Sequence, residues 1–354
     1  MTETVHPANI ATISQLLNLS GSQYRLYDVG RRVEKLSKDL FEKVELNQLP
    51  YPTPSQGHAH VAIAFWQKKS SQPYLWLLKL PLDERGLLNQ GARNHFIAII
   101  VEALGADLNQ ETSKEQEEIL NENPYLFTPA QYKMASLNSK IKVDLKQQPS
   151  EYLSPFLHYL SKESDWDEWQ AVGVQGITDF AARINQDKHV EILQYALPNL
   201  PNEVLLPLCG ALENETYHVD LITALLSQLK LSLEINNDKT DNSQLQQHLL
   251  RALAANSDHP HMLDFITKLL AQEKVSPELL ITLSGRCWLA LADEKRLMSY
   301  FEHLVASDDS PLFNSIFKDL VALPLIRPIV FQCMRSPKRS PKLAQAIGKL
   351  FNRG

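Results

Sequence analysis

The sequence predicts a mostly α protein: a small N-terminal α+β domain with a β-hairpin or three-stranded sheet, followed by an array of helical hairpins. Three observations carry this prediction. The 354 residues are 44% hydrophobic, enough for a sizeable core, yet include only 12 glycines, about half the usual share. Two runs within the first hundred residues have strand content and are set off by turn formers. From residue 150 onward, apolar helical stretches return every 34 to 41 residues or so, the period of a helical-hairpin repeat.

Along the chain, a first helix is expected from Pro7 to Leu19, and YRLYDV (Tyr24 to Val29) has strand composition. Val33, Leu36, Leu40, Phe41 and Val44 then fall on one helical face, which predicts a helix over 33–46. The turn formers of PYPTPSQGH lead into AHVAIAFW (59–66), and KKSSQ separates that run from PYLWLLKL (73–80), so the two read as a hairpin. Both faces of the hairpin are apolar, so both must be covered. The expected covers are the 33–46 helix and a second over Asn89 to Leu104. This gives an α+β domain over 1–108. Residues 109–149 form an acidic linker, rich in glutamate from Glu111 to Glu122, and a bridging helix that opens at Thr128-Pro129.

Residues 150–354 form the repeat domain. Ser276-Pro277 returns 34 residues later as Ser310-Pro311, each a hydroxyl N-cap with proline in the first turn. Gly176, Gly210 and Gly285 share one register of the first helices, and Arg251 stands in the glycine's place in the remaining copy. A shared glycine predicts close helix-to-helix approach at that position. Second helices start at His189, His218, His261 and Arg296, and a polar insert, Lys230 to Gln244, interrupts the series. Over about residues 170–335 this pattern resembles a degenerate HEAT-type α-solenoid, and the resemblance implies stacked antiparallel helix pairs. Pro207 and Pro328 fit it as prolines about one turn into a bent helix. As a whole, the length, the α+β start and the helical remainder resemble a family of uncharacterised gammaproteobacterial proteins known only as a domain of unknown function. That resemblance brings no catalytic residues.

Signatures of enzymes are absent: there is no HExxH, GxSxG, Walker-type loop or GxGxxG. His58 and His60, and again His259 and His261, have His-x-His spacing without a carboxylate at ligand distance, and they read as turn and helix-start residues. Neither metal nor cofactor is called for. Asp165 and Glu168, three apart, form a capping-box pattern for the first repeat helix, with Trp166 and Trp169 on one face. A HEAT-like DNA glycosylase would set an acid beside aromatics in its concave groove, so these four residues stand as a candidate aromatic and acidic groove.

After Asp319 there is no acidic residue, and Arg335, Lys338, Arg339, Lys342, Lys349 and Arg353 make a candidate basic binding surface. The structural alternative is a terminal helix, Lys342 to Phe351, that docks Leu343, Ala346, Ile347 and Leu350 on the last repeat. The net charge of −6 argues against a chain coated in nucleic-acid-binding charge. Three separated cysteines build no disulfide framework, and no 18-residue apolar run or leader-like start is present. The expectation is a soluble, cytoplasmic, non-enzymatic scaffold or adaptor that binds another protein through its helical-repeat surface. The alternative is an RNA- or DNA-associated factor using the basic C-terminal region.

Overall fold

The computed structural model describes residues 10–67, 73–105, 113–161, 165–234, 242–307 and 309–351. Among these the chain is mostly helical, with seventeen α-helices and one four-stranded antiparallel sheet. It divides into two compact units, Met1–Ala130 with Ala322–Pro324, and Gln131–Val321 with Leu325–Gly354. No described helix is long and apolar enough to cross a membrane.

The first unit runs α1 (Ile13–Leu19), β1 (Gln23–Asp28), β2 (Glu34–Leu36), α2 (Lys38–Glu45), β3 (His58–Trp66), β4 (Tyr74–Pro81), α3 (Gln90–Leu104) and α4 (Lys114–Asn121). The expected start of α1 at Pro7 lies outside the described residues, as does the KKSSQ turn, residues 68–72. The hairpin is present, with Ile63 opposite Trp76, but the sheet has a fourth strand where the helix over 33–46 was expected to begin. Residues 34–36 pair with β1, Leu36 opposite Leu26. Two local bonds explain the correction. Asp28 Oδ1 accepts from Gly30 N at 2.7 Å, turning the chain back on itself. Ser37 then accepts from Leu40 N, so the helix cannot start before Lys38. The sheet order is β2-β1-β3-β4.

One core joins α1, α2 and α3 to the sheet face carrying Leu26, Val61, Ile63, Phe65 and Leu78. Both expected covers, α2 and α3, therefore lie on the same face. Tyr27, Ala62 and Ala64 on the opposite face are buried as well. The outer edge of β4 is occupied by residues 125–127, through Lys79 N to Tyr125 O (2.7 Å) and Phe127 N to Leu77 O (3.0 Å), which removes an open edge. The described part of the acidic stretch is α4, opened by a Ser113–Gln116 capping box and burying none of its residues.

In the second unit, α5 (Gln131–Asp144) and α6 (Leu153–Tyr159) precede four helical pairs: α7 (Val174–Ala181) with α8 (His189–Ala196), α9 (Asn202–Leu212) with α10 (Val219–Glu234), α11 (Ser243–Ala252) with α12 (Pro260–Leu269), and α13 (Pro277–Arg286) with α14 (Glu294–Ala306). Then come α15 (Ser310–Ala322), α16 (Arg327–Arg335) and α17 (Pro341–Phe351). Helices α7, α9, α11 and α13 contact one another in succession, and α8, α10 and α12 do the same. Of the polar insert expected over Lys230 to Gln244, the first residues continue α10 to Glu234 and the last two open α11 at Ser243, while residues 235–241 lie outside the described residues.

Several local expectations are corrected. Pro207 sits inside α9, but Pro328 is in the first turn of a separate helix, α16. Asp309, not Ser310, accepts from the first turn of α15, at Leu312 N. His259, read as a helix-start residue, is the cap of α12, its ring nitrogen accepting from His261 N. The shared glycine register has three different meanings. A Cβ at Gly176 would meet the Tyr152 carbonyl oxygen at 2.5 Å, so α6 and α7 do require glycine there; Gly210 faces the Arg251 guanidinium at 3.5 Å, and Gly285 has nothing within 4 Å.

Candidate functional site

The second unit carries a cleft of about 700 Å³ over α9, within the usual range for ligand sites. Its floor is α9, with the half-buried Leu206 and exposed Pro207 giving way to the buried Gly210 and Ala211. Val174, Ile177 and Thr178 of α7 make one wall, and Gln244, His248 and Arg251 of α11 the other. Tyr132 and Ser136 of α5 bound one end, and Asn202 and Glu203 lie at the other.

Helix α5 holds that end by crossing three helices. The Tyr132 ring lies 5.1 Å from the Arg251 guanidinium. Ser139 donates to Asp179 of α7 at 2.8 Å. Lys140 pairs with Glu215 at 2.7 Å and donates to the Asn214 carbonyl, just past the end of α9.

Arg251 is the main polar group of the cleft. Its Nε and Nη2 donate to the Glu213 carboxylate, a bidentate arrangement suited to a guanidinium. The Glu213 side chain is only 1% exposed and also lies 3.7 Å from Arg286. Burial alone would lower the Arg251 pKa, but the bonds and charge of Glu213 outweigh it and raise it, so the side chain stays charged. His248 Nδ1 lies 2.8 Å from the Gln244 carbonyl. A carbonyl only accepts, so Nδ1 carries the proton and Nε2 of the neutral ring is an acceptor. Ser136 is 5% exposed, and its hydroxyl has no hydrogen-bond partner.

The residues expected to form an aromatic and acidic groove do not line this cleft. Trp166 is edge-on to Tyr159 at 5.7 Å, and its carbonyl accepts from the Tyr159 hydroxyl. Trp169 begins a short 3-10 turn, Trp169–Ala171. Asp165 accepts from Asp167 N, closing a local turn, so the expected capping box does not open a repeat helix; α7 starts later, after Gly173. On the candidate basic surface, Arg335, Lys338, Lys342 and Lys349 are exposed. Arg339 instead turns back to donate to the carbonyls of Met334 and Ser336, closing the end of α16. Arg353 lies outside the described residues. Lys342 and Lys349 border a smaller cleft of about 160 Å³ that Asp309 also lines. Leu343 and Ile347 are buried, and α17 contacts α14, with Ser340 at its start donating to Glu302 of α14 at 2.6 Å.

Among the described residues, no group of three or more His, Cys, Asp or Glu side chains could hold a metal ion. His58 Nδ1 is bonded to the Gln56 carbonyl, and the His60 ring stands edge-on to Phe127 at 5.0 Å. The three cysteines are buried and unbridged. Burial pushes the Cys209 and Cys333 thiols up to about 12, Cys333 with added repulsion from Glu294 and Asp293, which makes them unreactive.

Sequence reasoning missed Tyr132, Ser136 and His248, which carry no motif. Arg251 did leave a signal, as the odd residue in a register of glycines. A family model described as "Protein of unknown function (DUF3549)" matches residues 8–351. No curated protein and no solved structure matches the chain.

Proposed function

The chain belongs to the DUF3549 family, whose description assigns no activity, and we propose from its own geometry that it is a non-enzymatic scaffold that binds another protein on its helical unit. The two successive rows of helices support reading this unit as a HEAT-like solenoid. The observation that carries the reading is the cleft over α9. It combines apolar wall with a charged guanidinium held in place by a buried partner, and Val174 at its rim is 47% exposed. That mixture suits recognition, with specificity from a few fixed polar groups. The buried, unbridged cysteines support a reducing, cytoplasmic setting.

The competing reading is an RNA- or DNA-associated factor using the basic C-terminal region. Exposed Arg335, Lys338 and Lys349 support it, while Arg339 and the Ser340–Glu302 contact have structural uses. A photo-crosslinking residue placed in the full chain at Val174, and separately at Lys349, tells the two apart. The scaffold reading expects a discrete, saturable polypeptide adduct from position 174. Adducts to RNA or DNA from position 349, with none from 174, would establish the competing reading instead.

A further inference from the structure

The cleft over α9 has a polarity that specifies its occupant. At the α5 end, a guanidinium has five N–H donors, two of which are on Glu213 and one of which is engaged by Tyr132, leaving two. The unpartnered Ser136 hydroxyl is at the same end, and rotation about one bond redirects it. Donors therefore dominate there. At the other end stand Asn202 and the exposed carboxylate of Glu203. Pro207, one turn on, supplies no N–H to the Glu203 carbonyl. A carboxylate and a carbonyl without its helical partner therefore stand at this end, beside the Asn202 amide, which both donates and accepts. Between the two, Val174, Leu206 and Pro207 offer apolar surface.

The length is set by α9. Gly210, which lies against Arg251, is seven residues beyond Glu203, about 10 Å at 1.5 Å per residue. An extended chain covers that distance in about three residues at 3.3 Å each. Helix α5 bounds the donor end, and its Lys140 is tied to Glu215 and Asn214 beyond it. A chain laid in the cleft has to stop there, which favours a terminus over an internal acidic residue.

We infer that the cleft binds the C-terminal three or four residues of a partner polypeptide, with the terminal carboxylate on Arg251, apolar side chains against Val174, Leu206 and Pro207, and a basic residue near Glu203. This rests on the scaffold reading and narrows it to one mode of capture. A single small acid would engage Arg251 and leave the apolar stripe and Glu203 without a counterpart.

The test uses the full chain and fluorescence anisotropy with a positional library of N-terminally labelled tetrapeptides, made once with free C-terminal carboxylates and once as amides. Saturable binders are expected among the free acids, enriched in a basic residue three or four from the end, and amidation should weaken them at least tenfold. Arg251→Lys keeps the charge and loses the fork, and at least a tenfold loss is expected. Because Arg251 also holds Glu213, Val174→Glu serves as a second variant at an exposed site; it should weaken binding at least tenfold with an unchanged circular dichroism spectrum. The inference is overturned by a free-acid library without binders, by binding indifferent to amidation, or by hexanoate competing as well as the best tetrapeptide. A position-174 protein adduct that survives alongside any of these leaves the scaffold reading standing and removes only the C-terminal mode.

Discussion

Each of the two units buries a carboxylate among helix and loop donors, and the two units treat that charge differently. In the first, Glu45 closes the start of α1. Its oxygens accept from Ile13 N (2.5 Å), Ser14 N (3.1 Å) and the Ser14 hydroxyl (2.6 Å), while Thr12 takes the next amide, Gln15 N. The nearby guanidinium of Arg93 donates to the Glu45 backbone carbonyl rather than to the carboxylate. Burial is the largest influence, and the pKa of Glu45 is raised despite these donors. In the second unit, Asp179 accepts from Ser139 (2.8 Å) and from the amide and hydroxyl of Ser150, and its own helical turn brings Arg183 to 3.2 Å. Burial again pushes upward, but Ser150, Ser139 and Arg183 outweigh it, and the pKa of Asp179 is lowered. At Asp179 the bonds from Ser150 and Ser139, joined by Arg183 in direct contact, overcome burial, whereas at Glu45 the Ser14 and Ile13 donors and the charge of Arg93 do not.

The largest effect expected from this difference is in the second unit. Asp179→Ala leaves Arg183 buried without its carboxylate, and breaking such a pair costs about 3–5 kcal/mol. Glu45→Ala strands neutral amides instead, a loss of about 1–3 kcal/mol. Native-state amide exchange, read separately over the two units, measures both. Equal losses would mean that Arg183 adds nothing to the hold on Asp179, and the comparison would fail.

Titration gives a smaller effect of opposite sign in the two units. Glu45 has a raised folded pKa, so its contribution is present below its ordinary value of 4.5 and is lost as pH rises through the folded value. Asp179 has a depressed folded pKa, so its contribution is present above 3.8 and is lost as pH falls through the folded value. Subtracting the pH–stability curves of Glu45→Gln and Asp179→Asn from that of the unmodified chain should therefore give slopes of opposite sign. Contributions that both fall as pH rises would show that burial governs both groups.

What was legible in the sequence follows the same division between local and distant causes. The hairpin could be read because Val61, Ile63 and Phe65 alternate with small apolar residues and turn formers bound the run. The helical pairs could be read because Ser276-Pro277 marks a start by local chemistry alone, and its cap is present. The strand at Glu34–Leu36 could not: three residues carry no period, and Val33 and Leu36 fit a helix equally well until Ser37 resets the start. The cleft was illegible for another reason. Its residues come from α5, α7, α9 and α11, as far apart in sequence as Tyr132 and Arg251, and only the crossing of α5 brings them together.

The smallest predicted effect tests how far the repeats are alike. A common register implied that Gly176, Gly210 and Gly285 serve one purpose, yet only Gly176 is pressed against backbone, at 2.5 Å from the Tyr152 oxygen. At Gly285 the added methyl meets nothing within 4 Å, and the residue lies in the last turn of α13. Glycine in a helix is less favourable than alanine by about 0.5–1 kcal/mol, so Gly285→Ala should raise stability by up to that amount. Gly176→Ala should lower it by about 1–3 kcal/mol, as an overpacked contact does. Urea denaturation of the two variants measures both signs. If Gly285→Ala destabilised the chain as Gly176→Ala does, α13 would have to approach a neighbour in solution as closely as α7 approaches α6.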